Sequence, residues 1–254
     1  MIKDVLVCLE GSASSEAATQ IAIGIAHEVH AQLAGLAIVD EPADARTQAK
    51  GWIASFERRC REQEVPARTF EVVGLPADRV LSKMISHDVT VIGRDANFKF
   101  ETERQEPQTR EQILRRGVRP VLLVPEGTQT LGNRVLIAYD GSGAAKRAAV
   151  SFASSGLEAS RELHVATVDD DNAAAWDMAH KGVALLRRQG VYARGHNVVS
   201  TLSNFDALFE LASDLGVGLI VMGALSHSRL AHLFHQSAMR GLIEKSAVPL
   251  YMHH

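Results

Sequence analysis

The chain repeats its own pattern at an offset of 130 residues, and this constrains its fold more than any other feature. Val5-Leu6-Val7-Cys8-Leu9-Glu10-Gly11-Ser12 matches Val135-Leu136-Ile137-Ala138-Tyr139-Asp140-Gly141-Ser142. The same offset relates Leu33 to Leu163, Asp40 to Asp170 and Val91-Ile92-Gly93 to Val221-Met222-Gly223, and it slips by one at Pro120 and Pro249. Eight positions are identical over residues 5–40, and the order of features is the same throughout. A period this long marks a duplicated domain; solenoid repeats run to about 20–50 residues. Residues 1–127 and 133–254 are therefore read as two domains, joined by the turn-rich segment Pro125-Glu126-Gly127-Thr128-Gln129-Thr130-Leu131-Gly132-Asn133.

Each half alternates strand and helix patterns. The first half predicts strands near 4–9, 33–39, 68–73, 89–93 and 120–124, and helices near 14–30, 46–64, 77–86 and 108–117. The second predicts strands near 134–139, 162–168, 192–199, 218–222 and 249–252, and helices near 143–158, 172–189, 204–215 and 236–246. Val121-Leu122-Leu123-Val124 and Leu219-Ile220-Val221-Met222 are unbroken apolar runs, as in strands buried on both faces of a parallel sheet. Ala17, Ala18, Ile21, Ile25 and Val29 recur at helical spacing. The βαβα order with short links makes each half α/β, a doubly wound parallel sheet with helices on both faces.

Apolar residues make up 46% of the chain and charged residues 22%, which is enough to build a core. A net charge of −3 gives no electrostatic reason for nucleic-acid binding. No stretch approaches the ~18 apolar residues of a membrane span, and the start of the chain has no secretory pattern. Two cysteines, Cys8 and Cys60, make neither a disulfide framework nor a metal knuckle, and Cys8 reads as a small core residue. A cytoplasmic location is expected.

Ligands of open α/β sheets bind beyond the carboxyl ends of the strands, where the strand order reverses. Tyr139-Asp140-Gly141-Ser142 ends the first strand of the second half. There Asp140 is placed to meet a ribose or a metal, while the plainer reading is a strand-to-helix turn capped by Ser142. Met222-Gly223 ends the fourth strand, and the helix pattern resumes near Gln236-Ser237, whose start offers backbone amides to a phosphate, with Arg229 adding charge.

Val135-Leu136-Ile137-Ala138-Tyr139-Asp140-Gly141-Ser142, Leu219-Ile220-Val221-Met222-Gly223 and Val248-Pro249-Leu250 together resemble a tandem universal stress protein, two UspA-type domains in one chain. The resemblance covers nearly the whole sequence, and the stretches 222–230 and 248–254 look like a proteobacterial tandem branch of the family. It implies two Rossmann-like (adenine nucleotide alpha hydrolase-like) domains, each with a five-stranded, mostly parallel sheet. The ATP-binding branch carries G-x2-G-x9-G-[S/T] after the fourth strand; here the second half reads Gly223-x2-Ser226-x9-Gln236-Ser237, with two of the three glycines replaced. Carried over, the nucleotide site would use Asp140, Val168 beside the adenine, Met222 and Gly223 at the fourth strand end, and Ser226, Gln236 and Ser237 around the phosphates. Ala238 and Met239 would line the same turn. Gln236 would either crowd a phosphate or donate to it.

The first half departs further: Glu10 replaces the aspartate, and the glycine-free, carboxylate-rich run after Gly93 opposes anion binding. No nucleotide is expected there. His227, His232 and His235 in one loop, with His253 and His254 at the chain's end, raise a zinc site; exposed loop histidines are the plainer reading. No triad, no G-x-S-x-G elbow and no Walker-type lysine follows from the motifs, so catalysis is at most slow ATP hydrolysis.

The expected function is therefore a stress-response role through weak binding of ATP or another adenine nucleotide, with Mg, in the second half. The alternative is a nucleotide-independent scaffold for a protein partner. The family's pairing of last strands implies an intramolecular pseudo-dimer through 120–124 and 249–252, and a further homodimer of such chains is also expected.

Overall fold

The computed structural model describes residues 1–39, 43–96, 98, 109–200, 204–224 and 243–254. They divide into two compact units, Met1–Thr130 and Leu131–His254.

The first unit runs β1 (Asp4–Leu9), α1 (Ala13–Val29), β2 (Gln32–Val39), α2 (Ala43–Glu62), β3 (Ala67–Val73), α3 (Pro76–Met84), β4 (Val89–Gly93), α4 (Thr109–Arg116) and β5 (Val121–Val124). Its strands lie in the order β3-β2-β1-β4-β5, every pairing parallel. Val5 to Leu9 are buried, as a central strand covered on both faces requires. Ser12 caps α1 by accepting from the Ser15 amide, and Ala18, Ile21, Ala22 and Ile25 turn inward. His30 ends that helix in the left-handed region, φ 55°. Pro76 opens α3 at a position where no amide hydrogen is needed.

The second unit runs β6 (Arg134–Ala138), α5 (Gly143–Ala153), β7 (Glu162–Asp169), α6 (Asn172–Arg188), β8 (Ala193–Val199), α7 (Asn204–Asp214), β9 (Leu219–Gly223) and β10 (Leu250–His253). The strand order is β10-β9-β6-β7-β8, again parallel throughout. The core is largely apolar, and Tyr251 anchors one side of it. Tyr251, 1% exposed, meets the Phe152 ring edge-on at 5.5 Å and shares a 2.9 Å hydrogen bond with the Ser151 hydroxyl.

Most elements fall within three residues of the sequence expectation. The helix expected over 143–158 stops at Ala153. The Ser154 hydroxyl donates to the Val150 and Ser151 carbonyls, the Leu157 amide donates to the Ser155 hydroxyl, and Gly156 takes φ 95°. Serine hydroxyls that bind nearby backbone compete with the helical ladder, and glycine completes the break. The helix expected over 236–246 lies outside the described residues as far as 242.

Candidate functional site at the strand crossing of the second unit

After β6 the chain builds β7 and β8 on one side, then crosses to the other side for β9 and β10. The order reverses between β6 and β9, so their carboxyl ends flank the crevice where open α/β sheets bind ligands.

Asp140 lies on the β6 side. The Tyr139 amide donates to the Ala166 carbonyl at 2.9 Å, and the Thr167 hydroxyl donates to the Tyr139 carbonyl at 2.6 Å, so the end of β6 is tied to β7. Burial, and then the Asp140 charge, push the Tyr139 phenol above its ordinary range. Asp140 Oδ1 accepts from the Ser142 amide at 2.9 Å, and Ser142 Oγ accepts from the Ala145 amide at 3.1 Å. This is an Asx turn leading into a capped helix. Gly141 between them has φ 75°, and a Cβ there would lie 2.7 Å from Met178 Sδ. Asp140 itself stays partly exposed.

Met222 and Gly223 lie on the β9 side, Met222 buried and Gly223 partly so. The register pairs Ile137 with Val221, which places Gly223 beside the beginning of α5. A Cβ on Gly223 would lie 2.7 Å from the Ala145 nitrogen and 2.8 Å from the Ala144 carbonyl carbon and Cβ. Packing of strand against helix already demands this glycine. Val168, half-buried near the end of β7, pairs with Val198. The described part of the site therefore brings Asp140, Val168, Met222 and Gly223 to the carboxyl ends of three adjacent strands. Ser226, Arg229, Gln236, Ser237, Ala238 and Met239 lie outside the described residues, as do His227, His232 and His235. Among the described residues, no three His, Cys, Asp or Glu side chains are grouped to hold a metal.

The equivalent crossing of the first unit, between β1 and β4, is filled differently. Glu10 is 1% exposed and accepts from the Ser12 hydroxyl. Ser12 and Ser14 hydroxyls lie 3.1 Å apart, and Ser14 Oγ accepts from the Asp95 amide at 3.2 Å. Trp52 covers Gly11 so closely that a Cβ would lie 2.3 Å from its Nε1. Gly93 repeats the role of Gly223, with Ser14 and Ser15 backbone at 2.7 Å from a Cβ built there. The sequence shows both glycines at the 130-residue offset but not this shared packing role, which depends on a contact across the sheet.

Two parallel five-stranded units with this order and crossing define a Rossmann-like α/β protein. No protein-family model matches the chain. A universal stress protein of Synechocystis sp. is 28% identical over 165 residues, which cover 64% of this chain and 56% of that relative. The match thus spans little more than half of the relative's length. Among solved structures, a universal stress protein from Archaeoglobus fulgidus superposes with a TM-score of 0.78 at 17% identity, covering 98% of this chain and 95% of its own. A functionally unknown protein from Pseudomonas aeruginosa PAO1 gives 0.61 at 13% identity, covering 99% and 92%. The chain is thus similar in sequence to one universal stress protein and shares the fold of another. No described helix is long and apolar enough to cross a membrane.

Proposed function

We propose that the second unit binds an adenine nucleotide weakly, with Mg, at the β6–β9 crossing, and that this binding serves a stress response in the cytoplasm. The observation that supports it is Asp140. Its carboxylate is fixed at the mouth of the crossing by a turn that uses Oδ1, and the residue remains partly exposed. A carboxylate so held can accept from a ribose hydroxyl. Val168, half-buried near the end of β7, offers apolar surface for a base.

The test is titration calorimetry with Mg-ATP, together with extraction and identification of any copurifying nucleotide. Asp140→Asn keeps a side-chain oxygen for the Ser142 amide and removes the charged acceptor. A hydrogen bond to a charged group is worth about 1.5–3 kcal/mol, so affinity should fall by about 10- to 150-fold. Unchanged affinity in that variant removes Asp140 from the site.

A second reading has its own support. Asp140, Ser142 and Gly223 are each accounted for by the local turn, cap and packing. A scaffold that engages a protein partner without nucleotide needs nothing more from them. No heat with millimolar Mg-ATP and nothing copurifying would favour that reading.

A further inference from the structure

Away from the strand crossing, the second unit carries a histidine pair. His164 on β7 and His196 on β8 lie diagonally across the strand pair, since the register matches Ala166 with His196. His164 Nδ1 is 2.9 Å from His196 Nε2. His164 is 3% exposed, and its Nε2 has no hydrogen-bond partner among the described residues. The nearest acidic atom to that nitrogen is Glu162 Oε1 at 3.7 Å. Glu162 is in turn bridged by Arg194 at 2.9 Å and Arg134 at 3.2 Å.

Other groups around the pair are few. The charges that act on His164 are those of His196, Glu162, Arg194 and Arg134, and Arg194 acts on His196. Helix α7 also packs on β7 and carries Asp206, Glu210 and Asp214; Lys245 bridges Asp206 at 3.3 Å. Helix α6 covers the opposite face. Its Gly182 approaches Val165, and its Val183, Ala179 and His180 approach Gly195. Strand β8 pairs with β7, ends the sheet of this unit and is largely exposed.

We propose that His164 and His196 form a proton-operated latch on the edge strand β8, closed while one hydrogen is shared between the two rings and released when both rings are protonated. Two nitrogens 2.9 Å apart hold one hydrogen between them. The arrangement favoured by the Glu162 charge 3.7 Å away puts the His164 proton on Nε2, on the side of that carboxylate. His164 Nδ1 then accepts from His196 Nε2–H. One added proton settles on the far nitrogen of His196 and leaves the contact intact. A second must go to His164 Nδ1, which would set two N–H groups head to head, so the contact opens.

Burial first, and then the neighbouring cations, depress both imidazoles below their ordinary value. A depressed folded-state value means that the folded unit binds protons less readily than the unfolded chain. Stability from the closed pair is thus present above the unfolded value of about 6.5 and lost as pH falls below it. With a difference of one bound proton, opening of β8 rises about tenfold per pH unit.

Amide hydrogen exchange of the whole chain, corrected for intrinsic rates, reads this directly. From pH 6.5 to pH 5, amides of residues 193–199 should lose protection about tenfold per unit relative to those of 134–138. The variant H164L/H196L should abolish that relative loss. Nitrogen NMR of the histidine rings in the unmodified chain gives the tautomers and needs no variant. Protection in β8 that follows β6 at every pH, or two rings that titrate independently near 6.5, overturns the latch.

Discussion

Replacing Gly223 by alanine should destabilise the second unit. The added Cβ would stand 2.7 Å from the Ala145 nitrogen and 2.8 Å from Ala144, and ordinary contact begins near 3.4 Å. Strand β9 and helix α5 must therefore separate by about 0.7 Å. The helix cannot yield cheaply, because Ala144, Ala145, Ala148, Ala149 and Phe152 are buried along the same side. Overpacking of this kind costs about 1–3 kcal/mol. The lost flexibility of glycine in the unfolded chain offsets about 0.4–1 kcal/mol of that. The net loss is about 1–2 kcal/mol, or about 4–8 °C in Tm at roughly 4 °C per kcal/mol for a unit of this size. Thermal unfolding followed by circular dichroism measures it. Gly24→Ala is the control: that glycine lies in α1 with nothing within 4 Å of its Cβ position, so about 0.8–1 kcal/mol of added stability is expected. A Gly223→Ala protein as stable as the unmodified chain would refute the packing argument. It would then leave ligand approach as the reason for the glycine.

Thr90 is fully buried and its Oγ1 has no hydrogen-bond partner among the described residues; Thr90→Val should raise stability by about 1 kcal/mol in urea unfolding, and a loss would contradict the burial cost. Ser142→Ala removes the cap on the Ala145 amide and should cost about 1 kcal/mol, whereas Ser142→Asp should restore most of it. Burial pushes the Cys60 thiol up to about 11 and the Cys8 thiol higher still. At pH 8 only about one Cys60 in a thousand is thiolate, so an aromatic disulfide reagent should label the folded chain very slowly. One equivalent of rapid labelling would show that Cys60 is not buried in solution.

The fold was legible because its signals are local. Apolar runs such as Val121 to Val124, the stripe from Ala17 to Val29 and the Ser142 cap each report on a few neighbouring residues. The βαβα succession indicates parallel sheets, whereas the strand order is seen only in the pairings. The helix after Ser142 was overestimated because Ser154-Ser155-Gly156 breaks it through side-chain bonds to the backbone. The site was legible only in part. Asp140 and Gly223 could be found as strand ends, but the same spacing fits a ligand and a packing contact equally well. The His164–His196 pair was missed because no short motif links residues on two strands. Its signal is the placement of both rings on one face, and that requires the register between β7 and β8.

The two crossings show how one repeated frame can take different roles. Both keep the turn glycine and the capping serine, and both use a glycine on the fourth strand to let the first helix close in. The acid differs by one methylene. In Asp140 the shorter side chain turns back to its own Ser142 amide and stays at the rim. In Glu10 the longer one accepts from the Ser12 hydroxyl and is buried, with Trp52 laid over the adjacent Gly11. Burial of a carboxylate is costly unless it is hydrogen-bonded, so the serine hydroxyls and Trp52 form one filled arrangement. Shortening the acid alone should not turn it into a ligand site. In the Asp140→Asn background, Glu10→Asp should give no more Mg-ATP heat than Glu10 does, because Trp52 still covers the turn. Heat restored by that single change would mean that the acid's length, and not the covering tryptophan, decides which unit binds.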